Sequence, residues 1–141
     1  MTIYQLRSKI RNLKEQIADC EGEAVSCRNK IELHEIVLSR VQNSRNQFEE
    51  LLYVRRNKIR SMQDKYPHMS FVKGYQEDLS SFLEGSEYQR TMQGYDQTEW
   101  NLKSNREALA CRESDLRYEI RAKEEELERL QRKLRQMEQE E

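Results

Sequence analysis

The sequence predicts an all-α fold, a long antiparallel helical hairpin of coiled-coil type, in one elongated domain spanning residues 1–141. Apolar residues recur at alternating spacings of three and four along both halves of the chain, which is typical of a coiled coil. The only proline, Pro67, lies near the midpoint. With 35% hydrophobic and 36% charged residues, the composition also fits long helices. Disorder is the competing interpretation for so polar a chain, and the sustained periodicity argues against it.

The first arm is predicted to be one helix from about residue 2 to residue 65. Steps of three and four residues from Ile3 to Met62 visit eighteen positions, of which fifteen are apolar or cysteine. The exceptions are His34, Arg45 and Arg55. We call these eighteen positions the first seam. A heptad pattern of this length indicates a helix that packs along one face.

A turn is predicted over residues 66–69. Pro67 cannot continue a helix, and it disfavours helical backbone angles at Tyr66. Ser70 follows as the predicted N-cap of a short helix over residues 70–84, because a serine oxygen can accept hydrogen bonds from the first helical N–H groups.

The second arm is predicted to break near Gly85 and to continue as a long helix over about residues 86–139. Ser86 offers a new N-cap after the break. The same spacing of three and four runs from Tyr88 to Met137, and we call these positions the second seam. One helix that continues through Gly85 is the alternative.

Charge favours an antiparallel hairpin over a parallel dimer of straight rods. Basic residues close the first arm, and acidic residues occupy the segment that would face them. The two sets are Arg55, Arg56, Lys58 and Arg60, and Glu77, Asp78, Glu84 and Glu87. In the last helix, Glu125 with Arg129 and Glu128 with Arg132 are predicted ion pairs one turn apart.

No catalytic residue, cofactor or metal site is predicted, and the chain is not expected to be an enzyme. With only His34 and His68, no nucleophile and base can be assembled, and no glycine-rich phosphate loop occurs. Cys20, Cys27 and His34 recur every seven residues, about 10 Å apart along one helix face, too far to share one zinc ion. The two cysteines are therefore interpreted as small hydrophobic residues of the seam, and Cys111 as a surface thiol.

The net charge of −1 predicts no nucleic-acid partner. The basic cluster "RRNKIR" is interpreted as a solvated or internally paired face. The opening "MTIYQLRSKIRNLKEQI" has no apolar core of a signal peptide, and no apolar run approaches the ~20 residues of a membrane span. A cytoplasmic location without direct membrane insertion is expected.

Two apolar faces are more than a two-helix seam requires. The first, here called the second stripe, lies off the seam of the first arm: Leu33, Ile36, Leu51 and Val54. The other follows the short helix: Phe71, Val72, Tyr75, Leu79, Phe82 and Leu83. Because helices are stabilised mainly by packing of their apolar faces, these ten residues are predicted to form an interface with a helical partner. The alternative is that the short helix folds back on the second stripe within the monomer.

Three segments carry a resemblance to a known family: "YQLRSKIRNLKEQI", the central "FVKGYQEDLSSFLEGSEYQ" and "IRAKEEELERL". Together they resemble the small helical-hairpin proteins encoded beside LXG-type toxins of bacterial type VII secretion, which are similar in shape to WXG/ESX hairpins. The resemblance implies a non-enzymatic targeting factor. It would bind the helical N-terminal region of an LXG toxin, with or without a second small helical protein, and assist its export. Co-export by a route that needs no signal peptide is then expected.

The chain departs from that family at the turn, which reads "YPHM" without Trp-x-Gly. Tyr95 and Glu99, in "YDQTE", match the letters of the Tyr-x-x-x-Asp/Glu export signal of ESX-type hairpins, but they lie well inside the second arm. They are the candidate export signal. The alternative function is a self-associating coiled-coil scaffold, or a holdase-like protein, without a toxin client.

Overall fold

The computed structural model describes residues 1–140 and holds three α-helices in chain order. Helix α1 is Ile3–Lys65, α2 is Ser70–Glu84 and α3 is Ser86–Glu140. No strand occurs within these 140 residues. The predicted all-α fold is confirmed, with the turn after the first arm and the break in the second, and the long α1 fits a helical hairpin.

Helix α1 begins at a capping box. The hydroxyl of Thr2 accepts a hydrogen bond from the backbone N–H of Gln5 at 3.1 Å, and the Gln5 side-chain oxygen accepts one from the N–H of Thr2 at 3.0 Å. Two N–H groups that have no partner within the helix are thereby satisfied. The letters "TIYQ" carry this signal, which the seam pattern does not use.

A four-residue turn joins α1 to α2. The N–H of Met69 donates to the carbonyl of Tyr66 at 3.2 Å, and Pro67 lies at the second position, where its fixed φ is favoured. The predicted N-cap at Ser70 is wrong. The cap is Met69, which has extended backbone angles and no side-chain cap hydrogen bond. Its carbonyl already accepts from the N–H of Val72, so Ser70 lies inside the helix.

Gly85 alone separates α2 from α3. Its N–H donates to the carbonyl of Phe82 at 3.1 Å, and its own carbonyl accepts from Gln89 at 3.4 Å. Gly85 therefore holds the cap position predicted for Ser86, which is already helical. A Cβ at Gly85 would lie 2.8 Å from the backbone oxygen of Ser81. The break thus needs glycine because the chain passes close to the preceding turn, not because of a left-handed backbone.

The contacts divide the chain into two units, each described by itself. Unit 1 joins Met1–Leu33 with the chain from Asn105 onward, and unit 2 is His34–Ser104. In unit 1 the α1 and α3 segments run antiparallel, because Arg7 pairs with Glu138 at 2.7 Å and Glu23 pairs with Arg112 at 2.8 Å.

Unit 1 is held by two clusters of buried seam residues. The larger consists of Ile17, Cys20, Ala24, Cys27, Leu116 and Ile120. The smaller consists of Leu6, Ile10 and Leu130. The interpretation of Cys20 and Cys27 as hydrophobic seam residues is confirmed, since both side chains are buried among aliphatic neighbours from α1 and α3.

Unit 2 contains α2 and the adjoining segments of α1 and α3. An aromatic cluster joins all three helices: the ring of Tyr88 lies 6.3 Å from that of Phe48 and 5.9 Å from that of Phe82. Arg45 pairs with Asp96 at 2.7 Å, whereas Phe48, three residues later on α1, meets Tyr88, eight residues earlier on α3, so α1 and α3 run antiparallel here as well. The aromatic cluster fixes the end of α2 against the start of α3.

Two charged residues that interrupt the seams meet each other. Arg45 belongs to the first seam and Glu99 to the second, and the Arg45 guanidinium lies 3.5 Å from the Glu99 carboxylate. The same guanidinium also contacts Glu49 at 3.3 Å. Its hydrogen bond to Asp96, more than any other contact, raises the pKa of Arg45, and desolvation opposes the shift. Such a charge pair within an apolar seam favours one register of the two helices.

The ion pairs predicted from the sequence do not form. The four basic and four acidic residues expected to face each other beside the turn make no side-chain ion pair within residues 1–140. Arg129 pairs with Glu126 at 2.6 Å, three residues away, rather than with Glu125. Arg132 makes no ion pair with Glu128. Spacings of three and four residues both bring side chains together on a helix, and Arg129 pairs with the carboxylate at a spacing of three.

Candidate functional site

A groove of about 600 Å³ lies in unit 2 between the last third of α1 and helix α2. Its walls are mainly apolar. Helix α1 contributes Phe48, Leu51, Leu52, Ile59 and Met62, and α2 contributes Tyr75, Leu79 and Phe82. The lining positions of each helix, 48, 51, 52, 55, 58, 59 and 62 on α1 and 75, 78, 79 and 82 on α2, are separated by one or three residues, so each wall is one face of one helix.

The predicted apolar face of α2 is divided between the core and this groove. Val72 is 2% exposed and belongs to the core of unit 2. Leu79 and Phe82 are half-buried and line the groove with Tyr75, which is 54% exposed. Leu83 is half-buried. The short helix therefore packs within the monomer through Val72 and still presents apolar surface to solvent.

Phe71 lies beside the groove rather than in it. Its side chain is exposed, and its ring meets that of Tyr75 edge to face at 6.4 Å. The two rings form an edge-to-face aromatic pair on the surface at the start of α2.

The second stripe is exposed along its whole length. Leu33, Ile36, Leu51 and Val54 are each between 41% and 59% exposed. Only Leu51 among them lines the groove. The structure thus brings one residue of the stripe together with the α2 face, and it leaves the other three on open helix surface.

Three charged side chains stand among the apolar walls. Arg55 and Lys58 lie on the α1 wall, and Asp78 lies on the α2 wall. None of the three forms an ion pair within the described chain. Arg55 is also the only position of the first seam that is exposed. The sequence marks this position only as an arginine that interrupts an apolar seam, a feature that it shares with the internally paired Arg45.

The two residues of the candidate export signal make internal contacts. The hydroxyl of Tyr95 lies 3.0 Å from that of Ser44, and its ring lies 6.3 Å from that of Phe48. Glu99 meets Arg45. Both side chains thus face α1, so a receptor that reads them in the folded chain must compete with these contacts.

Other chemistry is sparse in the part of the chain that the structure covers. Cys111 is exposed, as predicted. Within residues 1–140, no three or more His, Cys, Asp or Glu side chains are grouped so that they could hold a metal ion. Among the same residues, no helix combines the length and apolar character needed to cross a membrane.

No protein-family model, curated protein or solved structure matches the chain.

Proposed function

We propose that this chain is a non-enzymatic helical partner that binds the helical N-terminal region of an LXG-type toxin and assists its type VII export. The observation that carries the binding function is the apolar groove of unit 2, whose lining includes the exposed Leu51 and Tyr75. The toxin as partner and the export role rest on the resemblance of the sequence.

The groove suits a helix better than a small molecule. Both walls are helix faces, and a third amphipathic helix can lay side chains at every third or fourth residue between them. Burial of apolar surface contributes roughly 25 cal/mol per Å², and the half-exposed Leu51 and Tyr75 are available for it. Tyrosine at such a position is a typical interface anchor.

Co-expression with the N-terminal region of an adjacent LXG toxin tests the proposal. The expected result is a complex that co-elutes in size-exclusion chromatography. Tyr75→Ala should weaken that complex by about 2 kcal/mol, or roughly thirtyfold, if the ring is an anchor. Tyr118→Ala is the matched control, because this side chain in unit 1 is 73% exposed.

Separate elution of the two proteins would refute the proposal for that toxin. Phe82→Ala distinguishes an anchor from a core residue. Because Phe82 contacts Tyr88, its loss should lower thermal stability as well as binding. If both variants bind as the parent does while stability falls, the two rings serve the fold alone. A stable homodimer of the chain alone, with no toxin bound, would instead favour the self-associating scaffold.

A further inference from the structure

We infer that the groove of unit 2 takes an amphipathic helix whose apolar stripe is flanked by carboxylate side chains, which meet Arg55 and Lys58. This inference rests on the proposed function and deepens it, because it states the chemistry of the partner surface. The occupant is a helix of another protein, not a second copy of this chain.

The apolar lining of the groove determines the spacing of the apolar side chains on the partner helix. Leu52 and Ile59 lie seven residues apart on the α1 wall, with Leu79 on the α2 wall. A seven-residue spacing is two helical turns, so a third helix laid along the groove presents apolar side chains at matching intervals.

The charged residues of the groove determine which side chains are favoured beside the apolar stripe of the partner helix. Arg55 and Lys58 are three residues apart on one wall and have no carboxylate partner within residues 1–140. Asp78 is the single anion of the lining, so cations outnumber anions two to one. A partner with Glu or Asp beside its apolar stripe would form charge-assisted hydrogen bonds with the α1 wall. A Lys-flanked helix would meet like charge, which complementary interfaces avoid.

The acidic amphipathic segments of this chain cannot supply the occupant without unpacking. Near the end of α3 the apolar face is covered within unit 1, since Leu130 is buried in the smaller cluster. Helix α2 carries Glu77, Asp78 and Glu84. Part of its apolar face is buried within its own chain, since Val72 is in the core, and Leu79 already forms a wall of the groove. A second copy would have to unpack α2 to insert it, whereas a separate acidic helix requires no such change.

Two synthetic peptides of about 18 residues, or five helical turns, test the inference. Both carry the same apolar stripe; one has Glu and the other Lys at the flanking positions. Binding of each fluorescein-labelled peptide to the full chain is measured by fluorescence anisotropy. The Glu-flanked peptide should bind about tenfold more tightly than the Lys-flanked one. It forms two exposed ion pairs with Arg55 and Lys58, whereas the Lys side chains of the other peptide are repelled by the same two residues. High salt should reduce the difference, because exposed charges are screened.

The chain variant Arg55→Glu with Lys58→Glu should reverse this preference. The matched control is Arg11→Glu with Lys14→Glu, which has the same spacing on the same helix, at exposed positions without ion pairs. The control should bind both peptides as the parent does. Circular dichroism verifies that each variant retains its helices.

Equal affinity for the two peptides, or an unchanged preference in the Arg55/Lys58 variant, would overturn the inference. So would a homodimer, seen by sedimentation, that the same two substitutions abolish, since a second copy would then fill the groove. If the LXG region binds this variant as it binds the parent, the groove is not its site although the proposed function stands. If the Glu-flanked peptide binds while the LXG region does not bind the parent, the proposed function fails and the groove chemistry stands.

Discussion

Replacement of Leu116 by alanine should lower the free energy of unfolding of unit 1 by about 3 kcal/mol. The side chain is 1% exposed and belongs to the larger cluster, with the α1 residues Ile17 and Cys27 and the α3 residue Ile120. Three carbon groups are removed at about 0.8 kcal/mol each, or ~2.4 kcal/mol in transfer alone. The cavity adds to this cost, but only modestly, because walls built from two helices can move inward. Leu116→Asp should cost more, since it buries a charge without a partner.

Urea unfolding followed by far-ultraviolet circular dichroism measures the effect. With a slope of ~2 kcal/mol per molar urea, the midpoint of the transition that unfolds unit 1 should fall by about 1.5 M. Leu33→Ala is the matched control, because it makes the same chemical change at a side chain that is 59% exposed. It should shift the free energy of unfolding by less than about 0.5 kcal/mol. If the two variants unfold at the same midpoint, burial of the seam does not hold unit 1 together, and the packing described above is wrong.

Glycine and charge substitutions give further predictions. Gly85→Ala should destabilise the chain by about 1–2 kcal/mol, because the new Cβ would lie 2.8 Å from a backbone oxygen. Gly22→Ala should stabilise the chain by about 1 kcal/mol, since no atom lies within 4 Å of the new Cβ. The midpoints of thermal unfolding of the two variants should therefore move in opposite directions. The hydrogen bond from Arg129 lowers the pKa of Glu126, and Arg129→Leu should return that pKa toward its ordinary value of about 4.3, which NMR titration of the carboxyl follows. Because the folded-state pKa is depressed, the pair stabilises α3 at pH values above the ordinary pKa, and this contribution is lost as the pH falls through the folded-state value; a Glu126 pKa that does not respond to loss of Arg129 would contradict the assigned cause.

Part of the candidate site could be predicted from the sequence. Leu51, Tyr75, Leu79 and Phe82 were expected at a partner interface because they are apolar and lie off the two seams, and the structure places all four along one groove. Val72 belongs to the same predicted face, yet it is buried in unit 2. Helical periodicity gives the direction of a side chain on its own helix, and it contains no information on which neighbouring helix covers it.

For the charged residues of the groove, too, the sequence predicts their positions on each helix but not their partners. Arg55 and Lys58 were interpreted as part of a solvated or internally paired face, and they are exposed without a carboxylate partner within residues 1–140. Sequence distance from the turn suggested which charges would face each other. The angular positions of the helices, set by all the packed side chains together, determine which of them come within reach.

Rules that act over a few residues were sufficient for the helices of this protein. The seam period requires long α-helices, Pro67 cannot donate the next backbone hydrogen bond, and Gly85 permits a close approach that any side chain would obstruct. The meeting of Arg45 with Glu99 and the groove beside Arg55 depend on residues about fifty and twenty positions apart. Such contacts follow from the register and rotation of the packed helices. Register and rotation take the values that give the lowest free energy for all the packed side chains together, and no single segment determines them.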